Sequence, residues 1–144
     1  MKLSLKGKLA LDASALIELI YCDSLGRKLK GVLESDGVDA WATEVAIAEL
    51  RYVLCRRLGW RESSERVGKL LASGYVRVGE TVGLIDEASR TKCSRAISLP
   101  DCFTLALAHK IGGDAVFARR EQDLATEMQR KPFDVHVVFL EDED

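Results

Sequence analysis

Five short runs of β-forming residues punctuate this 144-residue chain: KLAL at 8–11, VDAW at 38–41, YVRV at 75–78, DAVFA at 114–118 and VHVVFL at 135–140. Helical pattern fills the stretches between them, near 15–21, 26–34, 43–58, 62–73, 82–94, 98–111 and 121–129. Strands separated by helices pair in parallel through right-handed crossovers. The expected fold is therefore three-layer α/β: a central parallel sheet of about five strands with helices on both faces. Two helices between successive strands read as insertions on that theme. No internal repeat, low-complexity segment or proline-rich linker divides the chain. Its length suits one domain, expected over 1–140, followed by an acidic, solvated tail, EDED, at 141–144.

An open parallel sheet binds ligands beyond the carboxyl ends of its strands, where strand order reverses, so acids at those ends carry the most information. Asp12 follows the apolar run LAL and opens ASALIELI. It fits both a helix N-cap and a metal ligand at the sheet edge, with Ser14 close by. Thr43 caps a helix on which Val45, Tyr52 and Val53 share a stripe, and Glu49 interrupts that stripe where an apolar side chain belongs. Burying a lone carboxylate costs several kcal/mol, so Glu49 needs either an arginine partner or a ligand role. Arg51, Arg56 and Arg57 are near in sequence, but none is three or four residues from it.

Asp101 lies in SLPDCF, where Ser98 as N-cap and Pro100 early in the helix make a capping-box variant. Capping and coordination are compatible. Glu121 and Asp123 follow the fourth β run in a first helical turn, where acids suit the helix dipole. One of the two would face the same edge as Asp12. Four acids from four segments then crowd one end of the sheet and repel one another unless a cation neutralises them. Oxygen donors without supporting histidine or cysteine suit Mg²⁺ or Mn²⁺, which activate water and offset charge on a phosphoryl group.

The four cysteines, Cys22, Cys55, Cys93 and Cys102, form neither a CxxC pair nor a zinc-ligand spacing and read as reduced, buried thiols. Asp12 and Glu18 break the apolar N-terminal stretches, so no membrane span is expected and the location is read as cytoplasmic. Net charge is −2 and gives no global pull on a polyanion. Arginines cluster in RYVLCRRLGWR and FARRE near two of the acids, which leaves room for a positive groove beside a negative site.

Taken in order, LALDASAL, TEVAIAELRYVL, ISLPDCFTLALA and AVFARREQDL resemble the PIN-domain superfamily and, within it, VapC-type toxins of prokaryotic toxin–antitoxin pairs. The resemblance spans essentially the whole chain. It implies a Mg²⁺- or Mn²⁺-dependent endoribonuclease that hydrolyses RNA through a metal-activated water. The implied metal ligands and catalytic acids are Asp12, Glu49 and Asp101, with Glu121 or Asp123 as the fourth. Ser14 and Thr43 match supporting hydroxyls, and Arg51, Arg56, Arg119 and Arg120 would track the RNA backbone. The chain departs from the family at the fourth acid, where Arg119 replaces a small hydroxyl residue and Glu121 the leading aspartate. A VapB-like antitoxin and a homodimer or higher homo-oligomer are implied as partners. A housekeeping RNA-processing or quality-control PIN nuclease and a catalytically silent PIN-like binding module are the competing readings. A haloacid dehalogenase-type phosphatase would need an aspartate where this chain has Ser14.

Overall fold

The structure is a computed structural model and describes residues 5–143. All five expected strands form: β1 (Gly7–Leu11), β2 (Val38–Thr43), β3 (Arg77–Gly79), β4 (Asp114–Phe117) and β5 (Val137–Phe139). They build one parallel sheet in the order β3-β2-β1-β4-β5. Helices α1 (Ala13–Tyr21) and α2 (Ser24–Glu34) join β1 to β2, and α3 (Glu44–Leu58) and α4 (Trp60–Ala72) join β2 to β3. A short 3-10 turn at Val82–Leu84, then α5 (Ile85–Ser94) and α6 (Leu99–Ile111), lead to β4, and α7 (Gln122–Arg130) leads to β5. The stretch expected as one helix over 82–94 therefore breaks at its start, and β3 is three residues long.

Alternation along the strands divides the core in two. Leu9 and Leu11 of β1 join Ala40 and Ala42 of β2 in one cluster with α1 to α4, while Ala10 and Trp41 face the other cluster with α5 and α6. β1, central and covered on both faces, is apolar throughout its buried half, as a parallel interior strand must be. The α1–α2 packing is close enough that a Cβ at Gly26 would stand 1.9 Å from the Glu18 carbonyl oxygen, so only glycine fits there. Glu18 itself is buried in α1.

The stripe expected along α3 is displaced. Its buried line is Ala46, Leu50 and Leu54, whereas Tyr52 is 47% exposed and Val45 and Val53 are half-buried. Tyr52 is drawn outward because Arg56 lies over its ring at 5.0 Å, an amphipathic pairing that suits the surface. Glu49 flanks the buried line and is half-buried. The cysteines also differ from expectation: Cys102 is buried, Cys22 and Cys55 are half-buried, and Cys93 is exposed. No disulfide joins them.

The acidic end of the chain is less free than a solvated tail. Arg120 attracts it: Glu141 accepts the Arg120 backbone N–H at 2.7 Å, and Asp142 pairs with the Arg120 guanidinium at 2.5 Å. Asp144 lies outside the described residues. Among the described residues, no helix is long and apolar enough to cross a membrane.

Candidate metal centre

Strand order reverses between β1 and β4, and the first acid stands there. The Asp12 backbone N–H donates to the Val116 carbonyl at 2.8 Å, extending the β1–β4 ladder one residue past β1. Its carboxylate accepts the Ser14 N–H at 3.0 Å and so caps α1. Both roles weighed for Asp12 meet in one side chain, because one oxygen serves the cap and the other is left for the site.

Asp101 arrives by the same device from the opposite layer. Ser98 caps α6 by accepting the Asp101 N–H at 3.3 Å, and Pro100 occupies the first turn. This fixes where α6 begins and aims the Asp101 carboxyl at Asp12. Glu121, the N-cap residue of α7, makes no side-chain cap hydrogen bond, so its carboxyl reaches Asp101 instead. One oxygen each from Asp12, Asp101 and Glu121 lies within 4.8 Å of the others.

Glu49 comes from a third direction. It lies outside that tight group but lines the same cavity, about 330 Å³, with Ser98, Asp101, Glu121, Gln122 and Asp123. Ser98 and Gln122 were not among the expected site residues. Each is a near neighbour of an acid in a helix start, which no sequence pattern separates from ordinary capping. Larger space exists between α1, α2 and α4, about 490 Å³, but its acids Glu62 and Glu65 form exposed helix-surface pairs with arginines.

The electrostatics of the four acids agree. Burial, then the charges of Asp12 and Glu121, push the Asp101 carboxyl up to about 9. Burial, then the same two neighbours, push Glu49 up to about 7. Asp12 and Glu121 are also raised, mainly by burial, against the hydrogen bonds that favour their charged forms. No lysine or arginine pairs with any of the four among the described residues, so protons relieve their repulsion in the isolated chain. A hard divalent cation would do so instead. An all-oxygen donor set with three oxygens already grouped fits Mg²⁺ or Mn²⁺.

The remaining expected residues sit at different distances from this centre. The Ser14 hydroxyl accepts the Ala118 N–H at 3.0 Å, which ties the loop bearing Glu121 to α1. Thr43 is fully buried and caps α3 by accepting the Ala46 N–H at 2.8 Å. Asp123 lies in the first turn of α7, at the cavity wall but outside the group of three. Arg51 is turned toward α4, donating to Ser64 at 3.1 Å and lying 4.8 Å from the Trp60 ring centroid. Arg119 pairs with the buried Glu18, while Arg120 is held by Asp142 and lies 5.0 Å from the Phe139 ring centroid.

The PIN domain family model matches residues 9–136. No curated protein sequence matches significantly. Among solved structures, Mycobacterium tuberculosis VapC20, a sarcin–ricin loop cleaving toxin, superposes with a TM-score of 0.64 at 21% identity over 82% of this chain and 93% of that one. DNA-bound VapBC from Salmonella typhimurium gives 0.69 at 15% identity over 93% and 98%. VapBC2 from Rickettsia felis, bound to a promoter DNA fragment, gives 0.71 at 11% identity over 92% and 98%. These likenesses establish a shared fold, and with a family match covering most of its length, the chain belongs to the PIN domain family.

Proposed function

We propose that this protein is a Mg²⁺- or Mn²⁺-dependent endoribonuclease and the toxin of a VapBC-type pair. The observation that carries the reading is the convergence of Asp12, Asp101 and Glu121 at the strand-order switch, with Glu49 facing them across the cavity. These four acids would hold the ion, with Asp123 at the cavity wall. When bound, such an ion polarises water and offsets charge on a phosphodiester. The protein's part is preorganisation: Ser14 and Ser98 fix the two aspartates through backbone hydrogen bonds, and the Ser14 hydroxyl fixes the loop that carries Glu121.

The same reading takes RNA as substrate, a VapB-like antitoxin as partner, a homodimer or larger assembly as the working form, and the cytoplasm as the place of action. Support for the first two comes from the neighbours, one described as a sarcin–ricin loop cleaving toxin and others as VapBC complexes. Arg119, 59% exposed beside the site, supplies positive charge along the RNA path, with the exposed Arg56 farther along α3.

The deciding experiment incubates purified protein with unstructured RNA in Mg²⁺ or Mn²⁺, in EDTA, and in EDTA followed by excess Mn²⁺. Cleavage is expected in the first and third conditions only. Cleavage that persists in EDTA overturns the reading.

A further inference from the structure

A second cavity of about 360 Å³ opens between α1, the end of α3 and the β4–α7 loop, and the metal centre shares one of its walls. Glu121 lines both cavities, and Ser14 lies beside it, so the two spaces adjoin through the acid that faces Asp101. The volume falls within the roughly 300–1,000 Å³ of small-molecule sites.

Its other walls carry three kinds of group. The Arg57 guanidinium lies over the Tyr21 ring, 5.8 Å from its centroid, and both groups line the cavity. Arg119 is anchored by Glu18 yet its side chain stays 59% exposed. Asp23 occupies the N-cap position of α2 but makes no side-chain cap hydrogen bond, leaving its carboxylate uncommitted to the helix.

Resting on the ribonuclease reading above, we propose that this cavity is a subsite for one unstacked nucleotide of single-stranded RNA, flanking the phosphate held at the metal centre. Its base stacks on the Tyr21–Arg57 platform, as unpaired bases do on aromatic rings and guanidinium planes. Arg119 takes a neighbouring phosphate as a charge-assisted contact. Asp23 accepts a hydrogen bond from an exocyclic amino group, which cytosine carries and uracil lacks. Adjacency to the metal centre favours RNA over a protein segment as occupant, because a chain bound at one cavity must leave through the next.

The test uses fluorescein-labelled 12-nucleotide poly(C) and poly(U). Cleavage kinetics in Mn²⁺ and anisotropy binding in EDTA are measured for wild type, Arg57→Met, Arg57→Lys, Tyr21→Leu and Asp23→Asn, each checked for an unchanged melting temperature. Arg57→Met and Tyr21→Leu are expected to raise KM and Kd about tenfold with kcat within about twofold. Arg57→Lys should recover part of that loss. Wild type should prefer poly(C) by about fivefold, and Asp23→Asn should erase the preference.

Unchanged KM and Kd in both platform variants of a cleaving protein overturn the subsite. A wild type that binds RNA but does not cleave it overturns the ribonuclease reading, and the Kd series then decides the subsite on its own. A wild type that does neither overturns both.

Discussion

Asp101 and Glu127 are each 7% exposed, yet their carboxyls are driven in opposite directions. Arg130 and Arg95 both hydrogen-bond Glu127 at 2.8 Å and hold its carboxyl down to about 2. Arg95 also donates to the Glu127 carbonyl at 3.0 Å and stacks over Phe133 at 3.9 Å, locking α7 to the turn that follows α5. Asp101 meets burial, Asp12 and Glu121, with only the Ser98 hydrogen bond opposing them, and is driven up to about 9. Burial is thus common to both sites and the partner decides the sign. The fold completes one ion cluster internally and leaves the other short of positive charge, and an unbalanced cluster is the kind that serves function.

Removing one member from each cluster should therefore produce opposite phenotypes. Asp101→Asn is expected to lower RNA cleavage by ~10³-fold or more, because it removes a ligand oxygen and its charge. Its metal-free melting temperature should hold near neutral pH, where Asp101 is already protonated, and exceed that of wild type above about pH 9, where wild-type Asp101 is charged beside Asp12 and Glu121. Arg95→Ala should lower the melting temperature by leaving the Glu127 carboxylate with Arg130 alone and by unfastening α7 from the end of α5, with activity per folded molecule retained. Parallel thermal melts and single-turnover assays check both. Equal destabilisation by the two variants would collapse the distinction.

pH titration sharpens the same contrast. In the fold Asp101 titrates at about 9 and Glu49 at about 7, against 3.8 and 4.5 for free side chains, so the folded state holds the extra protons between those limits. Their contribution is complete below the lower values and is lost as pH rises through the upper ones. Glu127 runs the other way: held to about 2 against 4.5, it contributes above 4.5, and the contribution is lost as pH falls toward 2. The metal-free melting temperature should therefore decline from about pH 5 to about pH 9, and the rise on adding Mn²⁺ should grow over the same span, since protons and cation compete for the same oxygens. Asp101→Asn should flatten both slopes. A Mn²⁺ effect independent of pH would contradict competition for these carboxyls.

What could be read from the sequence follows from how local each cause is. The LAL run before Asp12 and the SLPD start of α6 placed their acids correctly, because strand ends and helix caps are decided within a few residues. The phase of α3 was misjudged because its buried line begins at Ala46, a residue too small to mark a hydrophobic stripe, while the larger Tyr52 is carried outward under Arg56. Pairings across the topology left no local trace at all. Arg119 with Glu18 and Arg120 with Asp142 join segments that only the finished sheet brings together. That is why two arginines expected on an RNA path also turn out to fasten the β4–α7 loop.

The smallest expected effect separates two acids that the sequence left as alternatives. Glu121 contributes an oxygen to the group with Asp12 and Asp101, whereas Asp123, two residues on, lines the cavity without joining that group. The difference comes from α7: Glu121 is the N-cap residue in extended conformation, free to point back across the sheet edge, and Asp123 is already wound into the first turn. Glu121→Gln should then lower cleavage by ~10²-fold, while Asp123→Asn, which removes only a through-space charge at the helix start, should change it by about threefold or less. Mn²⁺ titrations of each variant check the assignment. Apparent metal affinity should fall sharply for Glu121→Gln and barely for Asp123→Asn, and the reverse order would make Asp123 the fourth ligand.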